Sequence, residues 1–358
     1  MVATDESNWA RTAELLRRHA APVRPLVSVV IPTVGREALL VATTEAVLRQ
    51  TYGPLEVLIV DQANTAFHAL DGAGLIADAR VKVLSLPVAN LHLARNTGLH
   101  YAQGDLILLL DDDVTFDVTL VQEHVAGHSE PDVGAVVGRI DEEGEPSIED
   151  ADQMPRFGAV SISGRCTRYR GGVDYPAIAG TLGSNVSFKR TAIASIGAYD
   201  LRFDAVNSFY DDLDVGYRLR RAGFRLVFRQ AARMVHLKVP YGGGRLRRPS
   251  AIDTQVSRFR NVTFFYLKNM NPLGIPCFLA VFVAIAVKHW MTARGDPAVF
   301  LRLLRAISEG YQMRRSRFAG CAECRTPFCS ARADIRSPSG VPYCELATFD
   351  SMGRSGHS

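Results

Sequence analysis

Three consecutive carboxylates, Asp111, Asp112 and Asp113, follow directly on the apolar run Leu106-Ile107-Leu108-Leu109-Leu110. Side chains alternate along an extended chain, so Asp111 and Asp113 share one side while Asp112 faces the other. Such a cluster repels itself unless a cation sits there, and two same-side carboxylates at the end of a buried strand suit a hard ion such as Mg²⁺ or Mn²⁺. An acidic turn that merely ends a strand would read the same way. The second acidic group, Asp211-Asp212-Leu213-Asp214, opens a helical pattern, where acids also satisfy the helix dipole and Asp214 can pair with Arg218 one turn on. Taken together, the two groups match what transfer from a nucleotide diphosphate requires. One set of carboxylates holds the cation that neutralises the leaving diphosphate, and a separate carboxylate removes a proton from the attacking hydroxyl.

The elements that must position these acids are legible as periodic segments. Val27 to Ile31 reads as a strand, Glu37 to Gln50 as a helix and Leu55 to Asp61 as a strand, which makes a βαβ unit. A strand at Val81 to Leu84, a helix from Leu91 to Ala102 and the strand Leu106 to Leu110 extend it into a mostly parallel sheet flanked by helices. Ligands of open α/β sheets bind beyond the carboxyl ends of the strands, where Asp61 and the Asp111 cluster fall. Residues 141 to 158 are acidic and rich in Gly and Pro, and read as an exposed loop. Gly183 to Phe188 then reads as a strand, Asp211 to Ala222 as a helix stopped by Gly223, and Arg225 to Phe228 as a strand.

The residues that carry these features resemble the family 2 glycosyltransferases, inverting enzymes of bacterial type with a GT-A fold. The resemblance rests on Val27 to Asp61, on Ala94-Arg95-Asn96-Thr97-Gly98-Leu99 running through Gly104-Asp105 to Asp113, on Gly183-Ser184-Asn185, and on Asp211 to Leu219, in family order over residues 26–240. It implies a GT-A domain at 26–240 with a C-terminal helical extension. It further implies that Asp61 contacts the nucleotide base, that Thr33, Arg95, Asp111 and Asp112 lie at the donor, and that Asn185 and Asp214 lie toward the acceptor. Asp111 and Asp113 would form an Asp-x-Asp metal site, with His236 as a third ligand, and Asp212 or its neighbour Asp211 would be the general base, Asp212 being preferred. The implied cofactor is Mg²⁺ or Mn²⁺, and the implied partners are a nucleotide-sugar donor and a glycan or lipid-linked acceptor of cell-envelope or polysaccharide biosynthesis. Departures are Asp61-Gln62-Ala63-Asn64, where the family commonly has Asp-Asp-Gly-Ser, and Asp211, where it usually has Glu.

The 358 residues, 47% hydrophobic and 22% charged, suffice for a full core, and a net charge of +4 is too slight to imply a nucleic-acid partner. Residues 1–25 read as a helical extension around Trp9, Leu15 and Leu16 without a secretory core, which predicts a cytoplasmic protein. Residues 241–318 read as helical. Leu273 to Val287 is almost wholly apolar, yet as a helix it rises only about 22 Å against a hydrocarbon core of roughly 30 Å. Three placements remain open: attachment at an anionic membrane surface on the inner face, which is the favoured one, a buried core helix, or a span. The tail 319–358 reads as loosely ordered, and its Cys321, Cys324, Cys329 and Cys344 are potential zinc ligands. Competing functions are a sugar-nucleotide pyrophosphorylase, a non-catalytic sugar-nucleotide or membrane-binding protein of the same fold, and a dinucleotide enzyme through Gly72-Ala73-Gly74-Leu75-Ile76-Ala77.

Overall fold

The computed structural model describes residues 24–144, 158–161, 166, 173–203, 210–239, 251–270, 274–292, 296–315 and 348–350. The expected N-terminal helix and the four tail cysteines lie outside the described residues.

Strands β1 (Val27–Thr33), β2 (Leu55–Asp61), β3 (Val81–Ser85), β4 (Leu106–Leu109), β5 (Val114–Phe116), β6 (Val133–Glu142), β7 (Val186–Lys189), β8 (Arg225–His236) and β9 (Thr348–Asp350) form one sheet in the order β5-β8-β6-β7-β4-β1-β2-β3-β9. The β4-β1-β2-β3 half is parallel, and β7 then enters antiparallel to both β4 and β6. Because β1 has β2 on one side and β4 on the other, successive crossovers leave it in opposite directions. A crevice therefore opens at its carboxyl end. The acidic loop expected from residue 141 begins later, since Asp141 and Glu142 are still paired in β6 with Val235 and His236. Thr348–Asp350, expected to be loose, instead adds an edge strand to β3.

Helices α1 (Glu37–Leu48), α2 (Ala66–Gly72) and α4 (Leu120–Gly127) cover one face, and α3 (Leu91–Tyr101), α5 (Arg190–Ser195) and α6 (Asp211–Arg221) the other. The near-continuous apolar strands follow from this: β1, β2 and β4 are buried along their whole length because both faces are roofed. Close approach of α3 to β1 depends on Gly98, where an added Cβ would lie 2.2 Å from Val30 Cγ1. The sequence Gly72 to Ala77 is a helix end followed by a 3₁₀ turn, with Gly74 in the left-handed region. Backbone amides there do not open a helix toward a pyrophosphate, so the dinucleotide reading is corrected.

Three further helices, α7 (Ala251–Asn269), α8 (Ile275–Thr292) and α9 (Pro297–Arg315), share an aromatic core with α6. Phe278, Phe282 and Ala286 of α8 are buried, with Phe278 stacked on Tyr266 and Phe282 against Phe259. One face of α8 is thus core, while Val283, Trp290 and Met291 on its outer side are exposed. Among the described residues no helix is long and apolar enough to cross a membrane. That finding corrects the spanning alternative.

Gly98→Ala is expected to lower stability by about 1–3 kcal/mol through overpacking, read as a fall in the urea midpoint. Gly72→Ala, which meets nothing within 4 Å, serves as the control and should move the midpoint little.

Candidate functional site

The chain leaves β4 at Leu109 and bends through Asp111–Asp113 into β5, so the three carboxylates are placed by the bend and not, as expected, by alternation along a strand. Asp112 is buried on the α1 side, where its Oδ2 accepts the Thr33 hydroxyl at 2.7 Å and its Oδ1 meets Arg36 Nη1 at 2.8 Å. Asp111 and Asp113 face His236, which β8 delivers from across β5 through the pair Val114↔His236. His236 Nε2 lies 3.3 Å from Asp113 Oδ1 and 3.9 Å from Asp111 Oδ2. One ligand atom from each of these three residues falls within 4.8 Å of the others.

The electrostatics of this triad fit a cation. Asp113 is 1% exposed, with Oδ1 3.3 Å from His236 Nε2 and Oδ2 2.9 Å from Arg36 Nη1. Burial alone would make it a weaker acid, but the His236 ring and the Arg36 guanidinium outweigh burial and hold Asp113 below the ordinary carboxylate range. Burial pushes Asp111 the other way, upward, with the charge of Asp113 adding to it and Arg95 opposing. A divalent ion would relieve the mutual repulsion of the two carboxylates. The donor set of two carboxylates and an imidazole is one that Mg²⁺, and more readily Mn²⁺, accepts.

The second acidic group sits at the start of α6, where Tyr210 is held at φ 71°, in the left-handed region. Its two neighbouring acids have opposite environments. Asp211 is 1% exposed, and its Oδ2 meets His92 Nε2 at 2.9 Å and Arg95 Nη1 at 3.1 Å. Burial opposes ionisation, yet His92 and Arg95 prevail and hold Asp211 down at about 2. Asp212 is only half-buried, and its Oδ1 accepts the Leu213 amide at 2.8 Å. Desolvation, then the charge of Asp211, push it up to about 7. A fixed anion beside a carboxyl that titrates near neutrality separates the roles: Asp211 holds charge, and Asp212 can move a proton.

Arg95 joins the two halves. Its guanidinium is attracted by Asp211, Asp111 and Asp212, and lies over the Tyr199 ring at 5.2 Å from the centroid. Gly183 lies directly against it, since a Cβ there would come within 2.6 Å of Arg95 Nη2. The next residue, Ser184, accepts the Asp111 amide at 3.0 Å. Segment 181–184 therefore threads between the two acidic groups, with Thr181 also donating to the Asp212 carbonyl.

Other expected site residues have different employment. Asp214 is fully buried, its oxygens taken by Arg218 at 2.7 Å, Lys268 at 2.8 Å and Asn269 at 2.7 Å. It ties α6 to α7 and has no face toward an acceptor. Asn185 is also fully buried: its Nδ2 donates to the carbonyls of Arg139 and Ala232, and its Oδ1 meets His124 Nε2 at 2.9 Å. It too is corrected from acceptor contact to architecture. The side chains of Thr33 and Asp112 are spent on each other and on Arg36, which corrects their expected contact with the donor. Asp61 stands beside Thr33 at the ends of β2 and β1, and its oxygens accept the Ala63 and Ala66 amides at 2.9 and 2.7 Å.

Sequence reasoning missed Arg36, His92, Ser184 and Tyr199. For His92 a signal existed, because His92 and Arg95 stand three apart on one helix face and so meet the same partner. Arg36 and Tyr199 approach only through the fold.

Because Asp212 is held near 7, its ionisation opposes folding above that pH, and the penalty fades as pH falls toward its unfolded value near 4. Asp212→Asn should therefore stabilise the protein by about 1–2 kcal/mol at pH 8, after discounting for partial exposure. The gain should shrink by pH 5, as read in thermal melts at the two pH values.

The sequence profile of glycosyl transferase family 2 matches residues 28–197. Over 229 residues the chain is 28% identical to a glucosyl-dolichyl phosphate glucuronosyltransferase of Haloferax volcanii, an alignment covering 60% of this chain and 70% of that protein. Over 92 residues it is 38% identical to the UDP-Glc:alpha-D-GlcNAc-diphosphoundecaprenol beta-1,3-glucosyltransferase WfgD of Escherichia coli, covering 25% of this chain and 35% of that one. The chain spans between 24% and 70% of the length of these and a further curated relative. Among solved structures, S. aureus TarS 1-349 in complex with UDP-GlcNAc superposes with a TM-score of 0.57 at 13% identity, covering 80% of this chain and 81% of that one. This last likeness is one of fold.

Proposed function

We propose that the chain, whose fold is of the GT-A type, is a family 2 glycosyltransferase that transfers a sugar, with inversion, from a nucleotide-diphosphate donor to a hydroxyl of a lipid-linked or cell-envelope glycan. The observation that carries this reading is the adjacent pair Asp211 and Asp212, driven apart in acidity and joined through Arg95 to the Asp111–Asp113–His236 triad.

In this reading Asp212 accepts the proton of the acceptor hydroxyl, whose oxygen attacks the anomeric carbon as the bond to the diphosphate breaks on the opposite face. Asp211 stays ionised throughout, and by its charge keeps Asp212 basic enough to act near neutral pH. Arg95 holds Asp211 in place and faces the region between the acids. Asp111, Asp113 and His236 would hold Mg²⁺ or Mn²⁺, which when bound supplies positive charge to the departing diphosphate.

Two observations favour a lipid-linked acceptor. Two relatives, the glucuronosyltransferase and the glucosyltransferase named above, act on sugars carried by a phosphorylated dolichol or undecaprenol. In addition, α8 presents Val283, Trp290 and Met291 outward beside Lys288, an apolar face with a cation suited to an anionic membrane surface. The pyrophosphorylase alternative has no comparable support, because Pro32 to Arg36 contains no glycine-rich loop and Arg36 is committed to Asp112.

Calorimetric titration of UDP, GDP, dTDP and CMP with and without Mn²⁺ tests the reading: one nucleotide should bind, and only with the metal present. Binding of none would overturn it. Asp212→Asn should lower turnover on the order of a hundredfold or more. The acidic limb of the kcat/KM profile should fall near pH 7, and Asp211→Asn should shift it down by about one unit or more while retaining measurable turnover, because the neighbouring charge is removed. Loss of all turnover in Asp211→Asn with an unmoved limb would make Asp211 the base instead.

A further inference from the structure

A permanent cation already stands on one of the metal-site carboxylates. Arg36 Nη1 lies 2.9 Å from Asp113 Oδ2 and 2.8 Å from Asp112 Oδ1. The guanidinium is 9% exposed and cannot lose its proton. It is also pinned: the Asp112 side chain that holds it is itself held by the Thr33 hydroxyl, and the Asp112 carbonyl accepts the Thr43 hydroxyl at 2.9 Å. The middle aspartate of the cluster is thus a bracket for Arg36.

We propose that Arg36 makes cation binding depend on the donor: as a resident counter-charge on Asp113, it keeps the Asp111–Asp113–His236 site weak for a divalent ion alone and strong once a diphosphate adds its own negative charge. The inference rests on the glycosyltransferase reading of that site. Two consequences of the geometry support it. Charge comes first: three carboxylates less one guanidinium leave a formal −2, and the positive member touches the second oxygen of a ligand carboxylate, where a cation on the first oxygen feels it with little intervening solvent. The other concerns denticity. With Asp113 Oδ2 facing Arg36, the oxygen presented toward His236 is Oδ1. A carboxylate offering one oxygen suits the compact octahedral shell of Mg²⁺ or Mn²⁺, which is completed by phosphate oxygens and water, over the larger shell of Ca²⁺.

The test is titration of the full chain with Mn²⁺, following bound metal by electron paramagnetic resonance, first with Mn²⁺ alone and then with saturating UDP or GDP. The wild type should bind Mn²⁺ alone weakly and at least about tenfold more tightly with one of the two nucleotides. Arg36→Gln should bind Mn²⁺ alone about tenfold or more tightly than wild type, with the nucleotide enhancement reduced, and Arg36→Lys should stay close to wild type. Removing Arg36 leaves two buried carboxylates adjacent, so the double variant Arg36→Gln/Asp112→Asn, which takes away the ion pair as a unit, guards against misfolding and should also bind Mn²⁺ more tightly than wild type. Equal or weaker Mn²⁺ binding in both folded Arg36→Gln forms overturns the role of Arg36. Sugar transfer by wild type with no bound Mn²⁺ would instead overturn the cation site itself.

Discussion

Negative charge taken out of water must be compensated, and this protein buries a great deal of it. Asp61, Asp112, Asp113, Asp200, Asp211 and Asp214 are all at most 3% exposed. A buried carboxylate without partners would take up a proton or unfold its surroundings, so each acid must be met by donors or cations that the fold brings to it. For most of them the compensation is complete. Asp61 has two backbone amides, Asp112 has Thr33 and Arg36, Asp200 has Arg202 and Lys268, and Asp214 has Arg218, Lys268 and Asn269. These acids are architecture. Compensation is shared at Asp113, which divides one Arg36 nitrogen with Asp112, and incomplete at Asp212, which ionises only near neutrality. Chemistry collects where the charge balance is left open.

The same constraint explains why the C-terminal helices belong to the site. Lys268 and Asn269 stand at the end of α7 and close the charge balance of Asp214 and Asp200, so the helix bearing Asp211 and Asp212 is fixed from behind by ion pairs. Aromatic packing of Tyr210 and Tyr217 against Phe265 reinforces that contact. A region whose apolar composition pointed toward a membrane spends one of its faces on holding the helix that bears Asp211 and Asp212.

A second support lies under the metal-site strand. His124 bridges Ser187 and Asn185, and His128 meets the same Ser187 hydroxyl; burial pulls the pKa of both rings well below the ordinary histidine value, to about 4 and about 3, hence neutral. Asn185 in turn bonds the carbonyls of Arg139 and Ala232, where β6 and β8 slip register between Gly138↔Arg229 and Arg139↔Arg233. The slip sets where the last residues of β8 run, and with them His236. A buried polar chain thereby braces the strands that carry His236.

The sequence by itself determined the parallel half of the sheet, α3, α6 and the residues on which any chemistry must rest, because apolar periodicity and acid clusters are local properties. It separated Asp112 from Asp111 and Asp113 on the wrong ground, strand alternation, because all three lie in the bend between β4 and β5 and Asp112 and Asp113 share Arg36. It could not decide which acids were structural: Asp214 and Asn185 look as available in the chain as Asp212 does, and only the tertiary structure shows them surrounded. Nor could it choose between Asp211 and Asp212, whose difference is made by His92 and Arg95 from another helix, more than a hundred residues away. Acidity and availability are set by what surrounds a group in space, and the partners that set them come from distant parts of the chain.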